Sequence, residues 1–271
     1  MKKKLIVSGC SWADPFQCSE DPRVSNDIVK GYKKWFEIIA NKLDMELINY
    51  GKRAAGNQYI FSSLIDNICA IDKNEIGLVI AAWSEAKRTD FEYKQNDYDY
   101  YVKNIFRDKD PKRYNKNYAW DSILYTDPLR GDMFYRAKQS VRYMFALQEY
   151  LKSNNIPYKF VQSLPLGKLS VTGSDYNLGM IFGSSQRSLH SAKEAQDIYY
   201  KQLKEELDNF QLYNLIDKKH YIGCMYDQLD QQKDFVSDLT TKTEYRNDDH
   251  PNQSGHDKIA HIILNNINNS R

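Results

Sequence analysis

Short apolar runs alternate with stretches of helical periodicity along the first third of the chain. The runs Lys4–Ser8, Met45–Asn49 and Leu78–Ala82 are short and largely apolar, as strands buried in a parallel sheet are. Between them, residues 28–43 and the segment from Ile60 to Ile68 place apolar side chains at helical spacing. Strands and helices that alternate in this way predict a parallel α/β sheet with right-handed crossovers.

The second half of the chain continues the pattern after an interruption. A long amphipathic helix is predicted over Met133–Ser153, followed by a strand over Tyr158–Val161 and a helix over Lys193–Phe210. Residues 164–192 carry Gly, Ser and Pro and predict a loop. A final helix is predicted from about Gly255 to Asn265, with the Ser254 hydroxyl as its N-cap.

Residues 89–130 are the interruption. The chain contains 21 tyrosines, and many of them lie in this segment, mixed with Asp, Lys and Asn and without a lasting period. We interpret it as an insertion in a single domain that spans residues 1–271, rather than as a second domain. Because tyrosine combines an apolar ring with a polar tip, the insertion is expected to cover a cleft or to form an interface.

Charge and residue usage exclude several classes of function. The 38 basic and 36 acidic residues give a net charge of +2, which provides no field to attract nucleic acid. No apolar run approaches the roughly 18 residues needed to cross a membrane, and the apolar run after Met1 is too short for a signal peptide, so a cytoplasmic protein is expected. The four cysteines show no zinc or disulfide spacing, and His256 and His261 point in different directions on a helix, so no metal or cofactor is predicted.

Candidate chemistry is concentrated in four short segments. Three follow predicted strands, and one precedes the last helix: Gly9–Trp12, Gly56–Asn57, Ala82–Glu85 and Asp248–Asn252. An open α/β sheet binds its ligand at the carboxyl ends of its strands. A serine becomes nucleophilic when an imidazole accepts its proton, and a carboxylate fixes the tautomer of that imidazole. Each segment alone also has an ordinary interpretation, such as a tight turn, a helix start or a loop histidine bonded to backbone.

Taken together, the four segments resemble the SGNH hydrolases, also called the GDSL-like esterase family. The resemblance covers roughly residues 1–90 and 240–270, and the stretch His-Pro-Asn-x-x-Gly-His from His250 is its most specific part. It implies a three-layer α/β/α, flavodoxin-like fold with a central parallel sheet. It also implies Ser11 as nucleophile, His250 as base, and the backbone amides of Ser11 and Gly56 as donors to an oxyanion.

The sequence departs from the family pattern at two places. The third segment reads Ala82-Trp83-Ser84-Glu85, so the usual Asn amide is replaced by Ser84, a shorter candidate donor. Position 247 is Asn rather than Asp, which leaves Asp248 as the expected triad carboxylate and Asp249 as the alternative. Loss of one oxyanion donor costs about 2.7–4 kcal/mol of transition-state stabilisation.

These residues predict an acyl hydrolase with a Ser11–His250–Asp248 triad that acts on a small-molecule O-acyl ester, with an O-acetyl carbohydrate favoured. Weaker candidates line the substrate: Trp12, Asn57, Trp83 and Arg88. An acyltransferase would use the same acyl-enzyme. A binding or interaction protein that keeps the scaffold but has lost catalysis is the alternative from another class, and Ser84 is the feature in its favour.

Overall fold

The central element of the fold is a five-stranded parallel sheet. The computed structural model describes residues 2–15, 31–52, 55–86, 88, 90, 133–167, 192–230, 233–237 and 247–269. The strands are β1 (Lys4–Gly9), β2 (Glu46–Asn49), β3 (Ile76–Trp83), β4 (Tyr158–Gln162) and β5 (Tyr221–Cys224). Their order, β2-β1-β3-β4-β5, is that of flavodoxin-like sheets and confirms the predicted fold class.

Helices cover both faces of this sheet. They are α1 (Trp35–Lys42), α2 (Asn57–Ile68), α3 (Met133–Ser153), α4 (Ala192–Asp208), α5 (Gln211–Asn214), α6 (Met225–Gln228) and α7 (Gln253–Asn268), with short 3-10 turns at Ser11–Ala13 and Lys73–Glu75. No helix in the described ranges is both long enough and apolar enough to cross a membrane.

Alternation along the strands creates two separate apolar cores. Successive side chains of a strand point to opposite faces, so Ile6 packs with α2 and α3 while Leu5 and Val7 pack with α1 and α7. Both cores are fully buried at their centres, as at Leu64 and Ile263. The three-layer arrangement is therefore confirmed.

A second, two-stranded sheet lies outside the parallel one and was not predicted. Strand β6 (Phe235–Ser237) pairs antiparallel with β7 (Asn247–Pro251), with Phe235 opposite Pro251. β7 carries His250 and leads into α7 after a single residue, Asn252. The small sheet thus presents the histidine to the rest of the fold.

Several predicted boundaries need correction. Helix α1 begins at Trp35, because the Glu37 carboxylate accepts the Lys34 amide at 2.7 Å and closes the first turn there. The N-cap of α7 is Asn252, whose side chain accepts the Gly255 N–H at 3.0 Å, whereas the Ser254 hydroxyl donates to Asp234 at 2.7 Å. The Ser254 cap was therefore wrong. The predicted tyrosine-rich insertion, apart from Asp90, lies outside the described residues.

A buried histidine in the first turn of α7 makes the stability of the fold depend on pH. His256 is fully buried, and neither ring nitrogen has a hydrogen-bond partner within the described part of the chain. Burial, with smaller effects from Lys34 and His250, lowers its pKa to about 3. The folded protein therefore keeps His256 neutral over a pH range in which an unfolded chain protonates it.

We predict that this histidine destabilises the fold as the pH falls below about 6.5. Because the unfolded chain binds a proton there and the folded chain does not, His256 lowers the unfolding free energy by about 1.4 kcal/mol per pH unit between roughly pH 6 and 4. His256→Leu should flatten the dependence of the unfolding free energy on pH, measured by urea denaturation. His261→Gln, on the exposed side of α7, is the control. Parallel curves for wild type and His256→Leu would contradict the prediction.

Candidate active site

Ser11 lies in a tight turn directly after the central strand β1. The turn Ser11–Ala13 is closed by the Ala13 N–H, which donates to the Cys10 carbonyl at 2.8 Å. It folds back onto the sheet at Gly9, where an added Cβ would lie 2.7 Å from the Ala13 Cβ and 2.8 Å from the Ala82 Cβ. Glycine at this position therefore allows the serine to sit above the ends of β1 and β3.

His250 meets this serine from the small sheet. Its Nε2 lies 2.8 Å from Ser11 Oγ, although the two residues are 239 positions apart in the chain. Ser11 is 5% exposed and His250 is 6% exposed, so the pair is largely shielded from water. At this distance the ring nitrogen can accept the hydroxyl proton directly.

Aromatic packing joins the turn Ser11–Ala13, the serine turn, to the small sheet that contains β7, the histidine strand. Trp12, next to Ser11, packs edge-on against Phe235 of β6 with ring centroids 5.9 Å apart. Tyr226 contacts both rings, at 6.3 Å from Trp12 and 5.4 Å from Phe235. The Trp35 indole N–H donates to the Trp12 carbonyl at 2.8 Å and fixes the turn from the other side.

Asn252 fixes the far end of the histidine strand. Its side-chain amide donates to the carbonyls of Lys233 at 2.7 Å and Phe235 at 2.9 Å, while its oxygen caps α7. Its backbone N–H donates to the Asp234 carbonyl at 2.9 Å. Gly255 allows this close approach, because an added Cβ would lie only 2.2 Å from the same carbonyl oxygen.

The predicted triad carboxylate remains a prediction. The backbone of Asp248 and Asp249 belongs to β7, and Asp248 pairs with Val236. The side chains of both residues lie outside the described part of the structure.

The predicted oxyanion glycine has a partner within the chain. Gly56 is the N-cap of α2, and its N–H donates to Asp90 Oδ1 at 2.7 Å. The second oxygen of Asp90 accepts the Tyr59 N–H at 2.8 Å. Nothing in the sequence distinguished Asp90 from the other acidic residues around it, so this contact was not predicted.

Ser84 is held by its backbone rather than by its hydroxyl. Its N–H donates to Asn57 Oδ1 at 2.7 Å, and its carbonyl accepts from the amides of Asn57 at 3.0 Å and Gln162 at 2.7 Å. The Asn57 amide also donates to Ser140 Oγ at 2.9 Å. The Ser84 hydroxyl is buried and has no hydrogen-bond partner among the described residues. Ser140 and Gln162 were not predicted, since isolated polar residues in apolar elements carry no specific signal.

Three of the four residues predicted to line a substrate are buried. Trp12, Asn57 and Trp83 are 2%, 2% and 0% exposed, which leaves almost no surface for a solute. Trp83 packs edge-on against Phe160 at 5.4 Å. Arg88 Nε donates to Glu85 Oε1 at 2.8 Å, so its charge is paired within the chain. Within the described ranges, no three His, Cys, Asp or Glu side chains converge to hold a metal ion.

Comparisons with known proteins give structural neighbours but no close relative. No protein-family model and no curated protein matches the sequence. The psychrotrophic esterase EstA from Pseudoalteromonas sp. is 12% identical, with 98% of this chain and 97% of that chain covered and a TM-score of 0.41. The acetyl xylan esterase AlAXEase is 13% identical, with 97% and 98% covered and the same TM-score of 0.41.

A third neighbour, named as a lipolytic protein of the G-D-S-L family from Desulfitobacterium hafniense DCB-2, is 12% identical, with 97% of this chain and 99% of that chain covered and a TM-score of 0.41. At these identities and scores the neighbours carry no argument about the reaction of this chain.

We predict that Asn252 stabilises the histidine strand and the start of α7 together. Asn252→Ala removes an N-cap, which costs about 1 kcal/mol, and leaves two carbonyls without their donor. The unfolding free energy should fall by about 2 kcal/mol or more in total. Asn265→Ala, on the exposed face of the same helix, should change it by less than about 0.5 kcal/mol. Equal effects of the two substitutions in urea denaturation would contradict this role.

Proposed function

We propose that the chain is a serine ester hydrolase of the SGNH type. The observation that carries the proposal is the 2.8 Å contact between Ser11 Oγ and His250 Nε2 in a largely buried setting. A hydroxyl of ordinary acidity becomes an effective nucleophile when such a base is within hydrogen-bond reach. Ser11 also begins a 3-10 turn, and the bond that closes this turn uses the Ala13 N–H, so the Ser11 N–H is not required for it and can serve an oxyanion.

The proposed reaction passes through an acyl-enzyme. His250 Nε2 accepts the Ser11 proton while Oγ bonds to the ester carbonyl carbon, and the tetrahedral intermediate expels the alcohol, which takes the proton back from His250. Water then attacks the acyl carbon with His250 again as base, releasing the acid and restoring Ser11. For Nε2 to act as acceptor, the proton of the neutral ring must reside on Nδ1, and we propose that Asp248 holds it there.

The substrate class that we propose is an O-acyl ester of a small alcohol. Trp12 and Trp83, which were expected to line the substrate, are both buried, so these two rings give no support to a carbohydrate as the alcohol. An acyltransferase differs only in the hydroxyl that resolves the acyl-enzyme, and turnover in water against turnover with added alcohols separates the two.

A binding protein on the same scaffold is the second candidate function. Two observations favour it: Ser84 stands where the resemblance expects an amide donor, and the Gly56 amide is occupied by Asp90. The close approach of Ser11 and His250 opposes it, because a binding protein does not require a proton-transfer geometry.

We predict that a fluorophosphonate probe labels the wild-type protein at Ser11. Ser11→Ala should abolish the mass increase of the intact protein, and His250→Gln should slow labelling by at least about 10³-fold, because the hydroxyl then lacks its base. Ser153→Ala removes an exposed hydroxyl at the end of α3 and should leave labelling unchanged. Failure of the folded wild-type chain to label would favour the binding protein.

A further inference from the structure

The amino end of α2 is held by a carboxylate that is distant in sequence. Asp90 accepts the Gly56 N–H at 2.7 Å with one oxygen and the Tyr59 N–H at 2.8 Å with the other. Both amides belong to the first turn of a helix, where they have no acceptor within the helix. Each oxygen of Asp90 therefore has a backbone donor.

Close packing requires glycine at the point of contact. An added Cβ on Gly56 would lie 2.7 Å from Asp90 Oδ2 and 2.9 Å from the Arg88 carbonyl oxygen. The Arg88 side chain is in turn paired with Glu85 at 2.8 Å. The segment after β3 thus lies directly against the Gly56 backbone.

This contact lies beside the serine turn. The phenol of Tyr59 donates to the Tyr50 carbonyl at 3.0 Å, and the Lys52 N–H donates to the Gly9 carbonyl at 3.0 Å. An added Cβ on Gly51 would lie 2.1 Å from the Ala13 carbonyl oxygen, so the segment that holds Tyr50 and Lys52 packs directly against the serine turn. Asp90 and Ser11 therefore approach the same edge of the sheet.

Two opposing effects act on the ionisation of Asp90. Burial disfavours the ionised form and raises the pKa of Asp90, whereas the two backbone amides and the cations of Arg88 and Lys52 lower it. A partly buried carboxylate of this kind is stabilised mainly by the two amides, and a developing oxyanion would compete for one of them.

We propose that Asp90 controls the rate of the proposed hydrolysis by occupying the Gly56 amide in the resting protein. The inference rests on the proposed function and on the role of oxyanion donor that the resemblance implies for the Gly56 amide. One N–H cannot serve a carboxylate and an oxyanion fully at the same time. Asp90 must therefore withdraw before an ester carbonyl gains the donor, and its carboxylate is an internal competitor of the transition state.

Removing the competitor should accelerate acylation. We expect Asp90→Ala to raise the second-order rate of fluorophosphonate labelling about tenfold, within the 10²–10³ that one oxyanion donor is worth. Asp72→Ala is the matched control, because Asp72 also caps a turn, accepting the Asn74 N–H at 2.9 Å, but lies before β3 at the opposite edge of the sheet. Its labelling rate should equal that of wild type. The labelling rate of Asp90→Asn, which keeps the size of the side chain and one acceptor oxygen, should lie between that of wild type and that of Asp90→Ala.

An NMR measurement tests the contact without using activity. In full-length chains that also carry Ser11→Ala, the Gly56 and Tyr59 amide protons should move upfield when Asp90 is replaced by Ala, since a charge-assisted hydrogen bond is lost. The same protons should not move in Asp72→Ala. Unchanged Gly56 and Tyr59 shifts in the Asp90 variant would overturn the contact itself.

The two proposals fail in different ways. Labelling of wild type with no acceleration in Asp90→Ala, despite the amide shifts, would overturn the competitor and leave the hydrolase standing. No labelling of any chain, with the amide shifts as expected, would overturn the hydrolase and with it the role of Asp90. Labelling of wild type together with labelling of Asp90→Ala that is about tenfold faster would support both.

Discussion

Packing between Trp12 and Phe235 is the constraint on which the site depends. The serine turn follows β1 of the large parallel sheet and the histidine strand belongs to a separate antiparallel pair, so among the described residues no backbone ladder aligns them. The two rings, with Tyr226 against both, supply the alignment. A contact between aromatic rings is worth about 0.5–1.5 kcal/mol beyond the free energy of burying their area. The 2.8 Å distance between Ser11 and His250 is therefore a consequence of apolar packing at the rim of the sheet.

The loop after β3 is fixed by hydrogen bonds rather than by aromatic packing. In place of a side-chain amide directed at a substrate, the chain uses the amides of Asn57 and Gln162 to hold the Ser84 backbone. Each of these bonds replaces a water that the buried peptide group would otherwise need. Polar side chains at this edge therefore stabilise the scaffold. In the proposed reaction, the donors to the oxyanion are the backbone amides of Ser11 and Gly56.

Strong periodic signals were enough to predict the fold from the sequence. Apolar runs fixed β1, β3 and β4, and amphipathic spacing fixed α3 from Met133 to Ser153. Weak or ambiguous signals were not enough. Strand β5 was not predicted, because it is short and only half-buried. Asn252 and Ser254 are both good N-cap types, and which of them caps α7 depends on Asp234, which accepts the Ser254 hydroxyl. Ser11 and His250 could be placed together because their chemistry is specific. Asp90 could not, since a carboxylate that caps a distant helix leaves no trace in local pattern.

The free energies of the contacts at the site indicate that aromatic packing, more than the hydrogen bond between Ser11 and His250, holds the two sheets together. A typical hydrogen bond contributes about 0.5–1.5 kcal/mol net, whereas full burial of one large apolar side chain contributes roughly 1.5–3 kcal/mol. Trp12 and Phe235 are 2% and 1% exposed, so their burial outweighs the single bond between Ser11 and His250. The hydrogen bond between Ser11 and His250 can therefore break and re-form without loosening the packing of the two sheets. That separation of the scaffold from Ser11 and His250 is what the proposed acyl transfer at Ser11 would require.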